Sequence, residues 1–165
     1  MCIRDRPRNS LDSSGGSSPS PRLNVEINSN STLEFDLNDI KSDPGERKPI
    51  EEFDVGVRDR VRREYISKGP CQPRVHNFPK SQFGELKRSF QADWFGLHDW
   101  LDYSVSKDAA YCFCCFLFKP TNASRFGDDV FVKKGFRNWK RALEKFKYHV
   151  GGVNSVHHDA QTLLD

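Results

Sequence analysis

Three cysteines lie close together in the stretch YCFCCFLF, at positions 112, 114 and 115. Two residues separate Cys112 from Cys115, a spacing that lets two thiolates point toward one tetrahedral metal ion. Cys114 lies between them, and the spacing predicts that its side chain points elsewhere. The alternative interpretation is a pair of buried, small hydrophobic residues, because free cysteine is among the most buried residue types.

A structural zinc site needs two more ligands, and histidines further along the chain can supply them. His149 lies at the C-terminal end of a predicted basic helix, on its apolar face. His157 and His158 follow after a Gly-Gly break. The composite pattern predicts a Zn²⁺ site formed by Cys112, Cys115, His149 and His157, with His158 as the reserve fourth ligand.

Other candidate ligands and nucleophiles have weaker support. Cys71 and His76 would supply only half of a second site, and His98 is expected to be a packed or surface histidine. A thiol enzyme that pairs a cysteine with a histidine base would leave the second residue of each pair without a role. A thioredoxin-like redox pair requires Cys-x-x-Cys at a helix N-terminus, whereas this motif is predicted to follow a strand.

A hairpin and two helices are predicted to position the ligands. Alternating apolar residues predict strands over 101–105 and 109–113. The stretch GFRNWKRALEKFKYHVGG predicts one helix that stops at Gly151-Gly152, and another helix is predicted to start at Ser155. The first of these helices carries an apolar stripe of Phe136, Trp139, Leu143 and Phe146.

The rest of the chain is divided by composition and by helix signals. Residues 1–45 include a Ser/Gly/Pro-rich stretch and are predicted to form a disordered low-complexity tail, whose first six residues resemble a translated sequencing adaptor. Residues 46–90 are predicted to form a helical leader, capped by Asp54 and ended by Gly69, and then an irregular loop. Residues 91–165 are predicted to form a small α+β zinc-stabilised domain, in which a β-hairpin zinc knuckle packs on helices.

Overall composition restricts the class of protein. The chain has 36% hydrophobic and 30% charged residues, which suits a core of modest size but not a fully packed chain. It contains no apolar window long enough for a bilayer span and no signal peptide, so a membrane partner is not expected. We expect a soluble intracellular protein with reduced cysteines, because their odd number and close spacing do not suit a disulfide framework.

Positive charge is concentrated in one segment. Residues 131–150 carry seven Lys or Arg residues and a single acidic residue, Glu144, although the whole chain has a net charge of only +3. Outward-facing cations on this helix can bind DNA phosphates, and Arg137, Asn138 or Arg141 can reach base edges. The alternative is an ordinary solvated helix face. The predicted DNA-binding residues are Lys133, Lys134, Arg137, Asn138, Lys140, Arg141 and Lys145.

Two long stretches carry a family resemblance. DWFGLHDWLDYSVSKDAAYCFCCFLF and FVKKGFRNWKRALEKFKYHVGGVNSVHHDA closely resemble the TTF-type zinc finger of hAT-superfamily transposases and of host proteins derived from them, including the zinc finger MYM-type protein 1-like group. The resemblance covers roughly residues 41–162 and implies a zinc-dependent DNA-binding module. It implies His157, rather than His158, as a ligand, because the family's histidine follows an Asn-Ser-x step.

The resemblance also implies a transposable-element origin, a nuclear location and DNA as a partner. In that family the acidic catalytic residues lie in an RNase H-like domain further downstream, so we expect a truncated module that is not an enzyme. A second hypothesis is a zinc-stabilised protein-interaction module. In it, an aromatic surface around Trp94, Phe95 and Trp100 would bind a protein partner or the missing catalytic domain.

Overall fold

The computed structural model describes residues 34–120 and 129–165. The adaptor-like start and most of the predicted tail lie outside the described residues. The regular elements are α1 (Arg58–Lys68), β1 (Ser81–Phe83), β2 (Leu86–Arg88), α2 (Trp94–Leu97), β3 (Leu101–Ser104), β4 (Ala109–Cys112), α3 (Phe113–Phe118), α4 (Ala142–Val150) and α5 (Val156–Leu164). These two hairpins and five helices confirm the predicted α+β class. In the described part of the chain, none of the helices is long and apolar enough to cross a bilayer.

The antiparallel hairpin β3–β4 lies at the centre of the fold, and it confirms the prediction for this segment. Leu101 pairs with Cys112 and Ser104 with Ala109, and every residue of both strands is buried. The turn ends at Asp108, whose φ of 48° lies in the left-handed region that Asp tolerates. Its carboxylate accepts a hydrogen bond of 2.6 Å from the Tyr103 hydroxyl.

The Cys-x-x-Cys motif spans a strand-to-helix junction. Cys112 ends β4 and is the N-cap residue of α3, so the prediction that this motif lies away from a helix N-terminus is wrong. The run FCCFLF forms a short helix because both of its sides are buried: Phe113 and Leu117 pack in one hydrophobic cluster, and Cys114 and Cys115 pack in another. A short apolar run of this kind has no periodicity that separates strand from helix.

The predicted helix of the basic segment begins later than expected. Phe136 exchanges two backbone hydrogen bonds with Ala110, which adds a bridge to the β3–β4 hairpin. A 3₁₀ turn over Trp139–Arg141 follows, and only then does α4 begin. Leu143, predicted to lie in the buried stripe, is 52% exposed because the late start of α4 turns Ala142 inward instead.

In the N-terminal leader, α1 and the segment before it pack against α3 through a second hydrophobic cluster. The predicted helix is confirmed: Val61 and Tyr65 are buried, and Gly69 caps the C-terminus of α1. Asp54 caps a 3₁₀ turn that runs directly into this helix. The predicted tail ends at residue 45, but Ile40 is 5% exposed, so ordered packing extends into the segment assigned to the tail.

A buried ion pair joins this leader to the central hairpin. The guanidinium of Arg47 donates two hydrogen bonds to Asp102 in β3, with distances of 2.6 and 3.2 Å. The same carboxylate accepts the backbone N–H of Cys71. Both charged side chains are almost completely buried, and the guanidinium lies 5.1 to 5.5 Å from three aromatic ring centroids, those of Tyr65, Phe113 and Phe116.

Candidate metal centre

Four side chains from four elements converge at the end of the central hairpin. Cys112 comes from β4, Cys115 from α3, His149 from α4 and His157 from α5. Their ligand atoms all lie within 4.8 Å of one another, and both cysteines and His157 are buried. The structure therefore brings together the four residues predicted from the spacing, in an arrangement that can hold one metal ion.

Four of the six distances between the ligand atoms lie close to those of tetrahedral coordination. His157 Nδ1 lies 3.2 Å from His149 Nε2 and 3.4 Å from Cys112 Sγ. Cys115 Sγ lies 3.6 Å from His149 Nε2 and 3.8 Å from His157 Nδ1. With metal–sulfur bonds of about 2.3 Å and metal–nitrogen bonds of about 2.0–2.1 Å, a tetrahedral site separates its ligand atoms by about 3.3–3.8 Å.

Cys114 lies closer to the site than the sequence predicted. Its Sγ is 3.4 Å from Cys112 Sγ and 3.6 Å from His157 Nδ1, so the expectation that its side chain points elsewhere is wrong. The helical turn that begins at Phe113 directs both Cys114 and Cys115 inward. Cys114 nevertheless stands outside the group of four mutually close ligand atoms.

The pKa values of the Cys112 and Cys115 thiols are shifted in opposite directions. Complete burial raises the pKa of Cys112 well above its usual value. Hydrogen bonds from Cys112 and Cys114 lower the pKa of Cys115 to about 5, and these outweigh the opposing effect of burial. These opposite shifts favour the thiolate at Cys115 over the thiolate at Cys112.

Aromatic rings enclose the two histidines. The Trp100 ring centroid lies 5.3 Å from that of His149 and 5.1 Å from that of His157, and Phe131 lies 4.4 Å from His149. Trp100 is only 5% exposed and Phe95 only 2%. Two of the three rings predicted to form a surface for a protein partner, those of Phe95 and Trp100, are thus buried in the main hydrophobic cluster, and Trp94 is half-buried against it.

The link between α4 and α5 fixes the separation of the histidines. Gly151 ends α4 with a φ of 62°, and Ser155 caps α5, as the sequence predicted. The Ser155 hydroxyl donates to the Val150 carbonyl at 2.6 Å and accepts the His158 backbone N–H at 3.0 Å. This places His157 in the site and leaves the side chain of His158 exposed.

Replacing Ser155 with alanine is expected to weaken metal binding without removing a ligand. The cap is worth about 1 kcal/mol, and its loss frees α5 to move relative to α4. We expect the apparent metal affinity to fall by about three- to tenfold, measured by competition with a chromogenic chelator. Threonine at this position retains the hydroxyl and should restore the affinity; equal affinities for the alanine variant and the wild type would contradict the role of the cap.

The remaining candidate ligands do not form a second centre. Within residues 34–120 and 129–165, no other group of His, Cys, Asp and Glu ligand atoms is close enough to hold a metal ion. Burial raises the pKa of Cys71 to about 11, which disfavours its thiolate. The His76 ring packs 5.0 Å from Phe78, and the His98 ring packs 5.2 Å from Trp100, with distances taken between ring centroids.

The predicted DNA-binding residues do not share one helix. Lys145 is the one that lies in α4, where its side chain is half-buried near the Tyr148 ring. Arg137 and Asn138 precede the helix, so the prediction that they lie on it is wrong. Their side chains are exposed on the strand-like segment that follows the bridge to β4.

Several of these cations have acidic partners. Arg141 forms an ion pair with Glu144, Lys133 lies 3.7 Å from an oxygen of Asp129, and Arg137 donates to the Asp108 carbonyl at 3.2 Å. Two further members of the predicted set, Lys134 and Lys140, are exposed and form no ion pair within the described residues. These two lysines are therefore the most available cations of the predicted DNA-binding set.

Comparison with known proteins links the C-terminal part of the chain to one group. Residues 129–165 match the family described as DUF4371: ZMYM1/FAM200, RNase-like domain. The matched residues contain His149 and His157, whereas Cys112 and Cys115 lie on their N-terminal side. No solved structure matches the chain.

Proposed function

We propose that this chain is a zinc-dependent DNA-binding module of a transposase-derived protein, without catalytic activity of its own. The convergence of two thiols and two imidazoles, with ligand atoms within 4.8 Å of one another, is the observation that supports zinc. This donor set is typical of structural zinc sites. Bound zinc would cross-link β4, α3, α4 and α5, and four protein ligands would leave no open position for a substrate. The ligand number therefore supports a structural role.

The position of the basic segment supports DNA as the partner. The chain from Lys133 to Arg141 is anchored near its middle by the Phe136–Ala110 bridge and leads into α4, which carries His149. The exposed cations of this segment are thus connected to two of the elements that carry candidate metal ligands, β4 and α4. Lysine and arginine so placed bind phosphates and determine affinity, and a short polar side chain such as Asn138 is available for base contacts.

The link to the ZMYM1/FAM200 group agrees with this proposal. A transposase-derived module that binds chromosomal DNA would act in the nucleus, which is the location we propose. The descriptor RNase-like belongs to the matched family as a whole. We propose that this chain contributes binding rather than catalysis, because its converging polar groups are metal ligands of a closed site.

Charge reversal at Lys134 and Lys140 tests the proposal. For wild-type protein loaded with zinc, we expect binding to a 20-base-pair duplex, measured by fluorescence anisotropy, to weaken steeply as salt increases. The Lys134→Glu, Lys140→Glu variant should lower the slope of log affinity against log salt by about two, since each lost phosphate contact removes about 0.9.

A matched control places the same charge change on α1. Arg63 and Lys68 are exposed on that helix, away from the basic segment in sequence, and Arg63→Glu, Lys68→Glu should leave the salt slope near the wild-type value. Equal effects of the two double variants would indicate a nonspecific charge effect. Wild-type protein that retains zinc but does not bind DNA would refute the proposed function.

A further inference from the structure

A small antiparallel ribbon, β1–β2, occupies the stretch that the sequence predicted to be an irregular loop. Phe83 pairs with Leu86 across a two-residue turn, and the first turn residue, Gly84, has a φ of 63°. A tight hairpin of this kind favours glycine at the first turn position. The Phe-Gly-Glu-Leu sequence was therefore the signal that could have predicted the hairpin.

The ribbon carries a second group of exposed cations. Lys80 precedes β1, and Lys87 and Arg88 lie in β2; all three side chains are exposed. None of them forms an ion pair among residues 34–120 and 129–165, in contrast to Lys133 and Arg141 of the basic segment. The single acidic residue of the ribbon, Glu85, lies in its turn. The ribbon therefore presents positive charge that the protein itself does not neutralise.

The pairing register separates an inward face of the ribbon from an outward one. Phe83 and Leu86 face each other on one side, and Phe83 is half-buried against the main hydrophobic cluster. Gln82 pairs with Lys87, and successive residues of a strand point to opposite faces, so this pair lies on the other side. Lys80 lies two residues before Gln82 and continues the outward face. Arg88 pairs with Ser81 on the side of Phe83, but its side chain is exposed there.

Aromatic packing connects the ribbon to the basic segment. Phe90, just after β2, packs against Trp139 with ring centroids 5.6 Å apart, and Trp139 lies between Asn138 and Lys140. Phe78, just before β1, packs 4.9 Å from Tyr103, which in turn lies 6.4 Å from Trp139. Both cationic segments are thus held on the same aromatic cluster.

We propose that the β1–β2 ribbon is a second DNA-contacting element, in which Lys80, Lys87 and Arg88 bind phosphates of the duplex that the basic segment binds. This inference rests on the proposed function and extends it to a surface of two elements. A two-stranded ribbon is narrow enough to enter a major groove, and exposed unpaired cations release counterions when they bind phosphates.

Lysine footprinting on the wild-type, zinc-loaded protein tests the inference without any risk of misfolding. The protein is acetylated briefly with and without a saturating 20-base-pair duplex, and modification is quantified by mass spectrometry. We expect Lys80 and Lys87 to be protected at least threefold, like Lys140, whereas Lys68 on α1 should be modified equally in both samples. Equal modification of Lys80 and Lys87, with protection of Lys140, would overturn the ribbon's role and leave the proposed function intact.

A ribbon variant supplies the quantitative readout. Lys80→Gln, Lys87→Gln, Arg88→Gln removes three exposed charges, and we expect the salt slope of duplex binding to fall by two to three. An unchanged slope and affinity would refute the inference, whereas loss of binding by the Lys134→Glu, Lys140→Glu variant would still support the proposed function. Absence of DNA binding by the wild type would refute both.

Discussion

Replacing Cys115 with serine is expected to abolish stoichiometric zinc binding and cooperative folding together. Zinc held by the four candidate ligands would tie together β4, α3, α4 and α5, and structural zinc contributes about 10–16 kcal/mol in small finger peptides. That contribution is comparable to the whole net stability of a typical domain, about 5–15 kcal/mol. Metal content by mass spectrometry and urea unfolding followed by tryptophan fluorescence would measure both losses, because Trp100 packs on both histidines.

The chain offers a matched control for each kind of ligand. Cys114 is as buried as Cys115 but lies outside the four-atom group, and His158 is the exposed neighbour of His157. We expect Cys114→Ser and His158→Ala to retain one zinc per chain, and His157→Ala to lose it. Zinc retained by the Cys115 variant but lost by the Cys114 variant would show that the ligand assignment is wrong. A folded wild type without metal would refute the zinc site itself.

The same site should show a pH dependence of known sign. Burial raises the pKa of Cys112, so at neutral pH zinc must displace its proton, whereas the pKa of Cys115 is already lowered to about 5. Apparent zinc affinity should therefore rise with pH, by about tenfold per unit for each proton displaced. Below about pH 5 the Cys115 thiolate also becomes protonated, and the dependence should steepen. Competition with a chelator across pH 4.5–8 would measure the curve.

The residues of the candidate metal centre could be predicted from the sequence because their signals are local. Cysteine spacing, the Gly151 helix stop and the Ser155 cap are each read from a few neighbouring residues, and all of them reappear in the structure. The side-chain direction of Cys114 could not be predicted in the same way. It depends on whether the residues after Cys112 form a strand or a helix, and a fully buried apolar run does not distinguish the two.

The basic segment shows a second limit of local patterns. The predicted helix forms from Ala142 onward, but Phe136 pairs through its backbone with Ala110 of the central hairpin. That long-range pairing outweighs the local preference for helix and carries Arg137 and Asn138 away from α4. Ion pairs such as Arg137 with Asp108 are equally invisible in the sequence, since the partners come together only in the folded hairpin.

The buried ion pair between Arg47 and Asp102 also lacks any local signal, because the two residues lie 55 positions apart. It is nevertheless the main polar link between the leader and the hairpin that carries Cys112. Burial raises the pKa of Asp102 and the nearby Arg47 guanidinium opposes that shift, so the carboxylate depends on its partner to remain charged.

Replacing Asp102 with alanine in the zinc-loaded protein is expected to lower the free energy of unfolding by about 3–5 kcal/mol. The change leaves Arg47 as a buried, uncompensated charge and also removes the acceptor for the Cys71 N–H. Arg47→Ala should lower the free energy of unfolding by a similar amount. It leaves the Asp102 carboxylate buried without its partner and removes the cation–π contacts with three aromatic rings. The paired variant Arg47→Met, Asp102→Leu should be more stable than either single variant, because well-packed hydrophobic residues can replace a buried ion pair at little net cost. Urea denaturation of the wild type and the three variants measures these differences in the free energy of unfolding. Single variants that lose less than about 1 kcal/mol would place this pair among ordinary surface ion pairs and contradict its structural role.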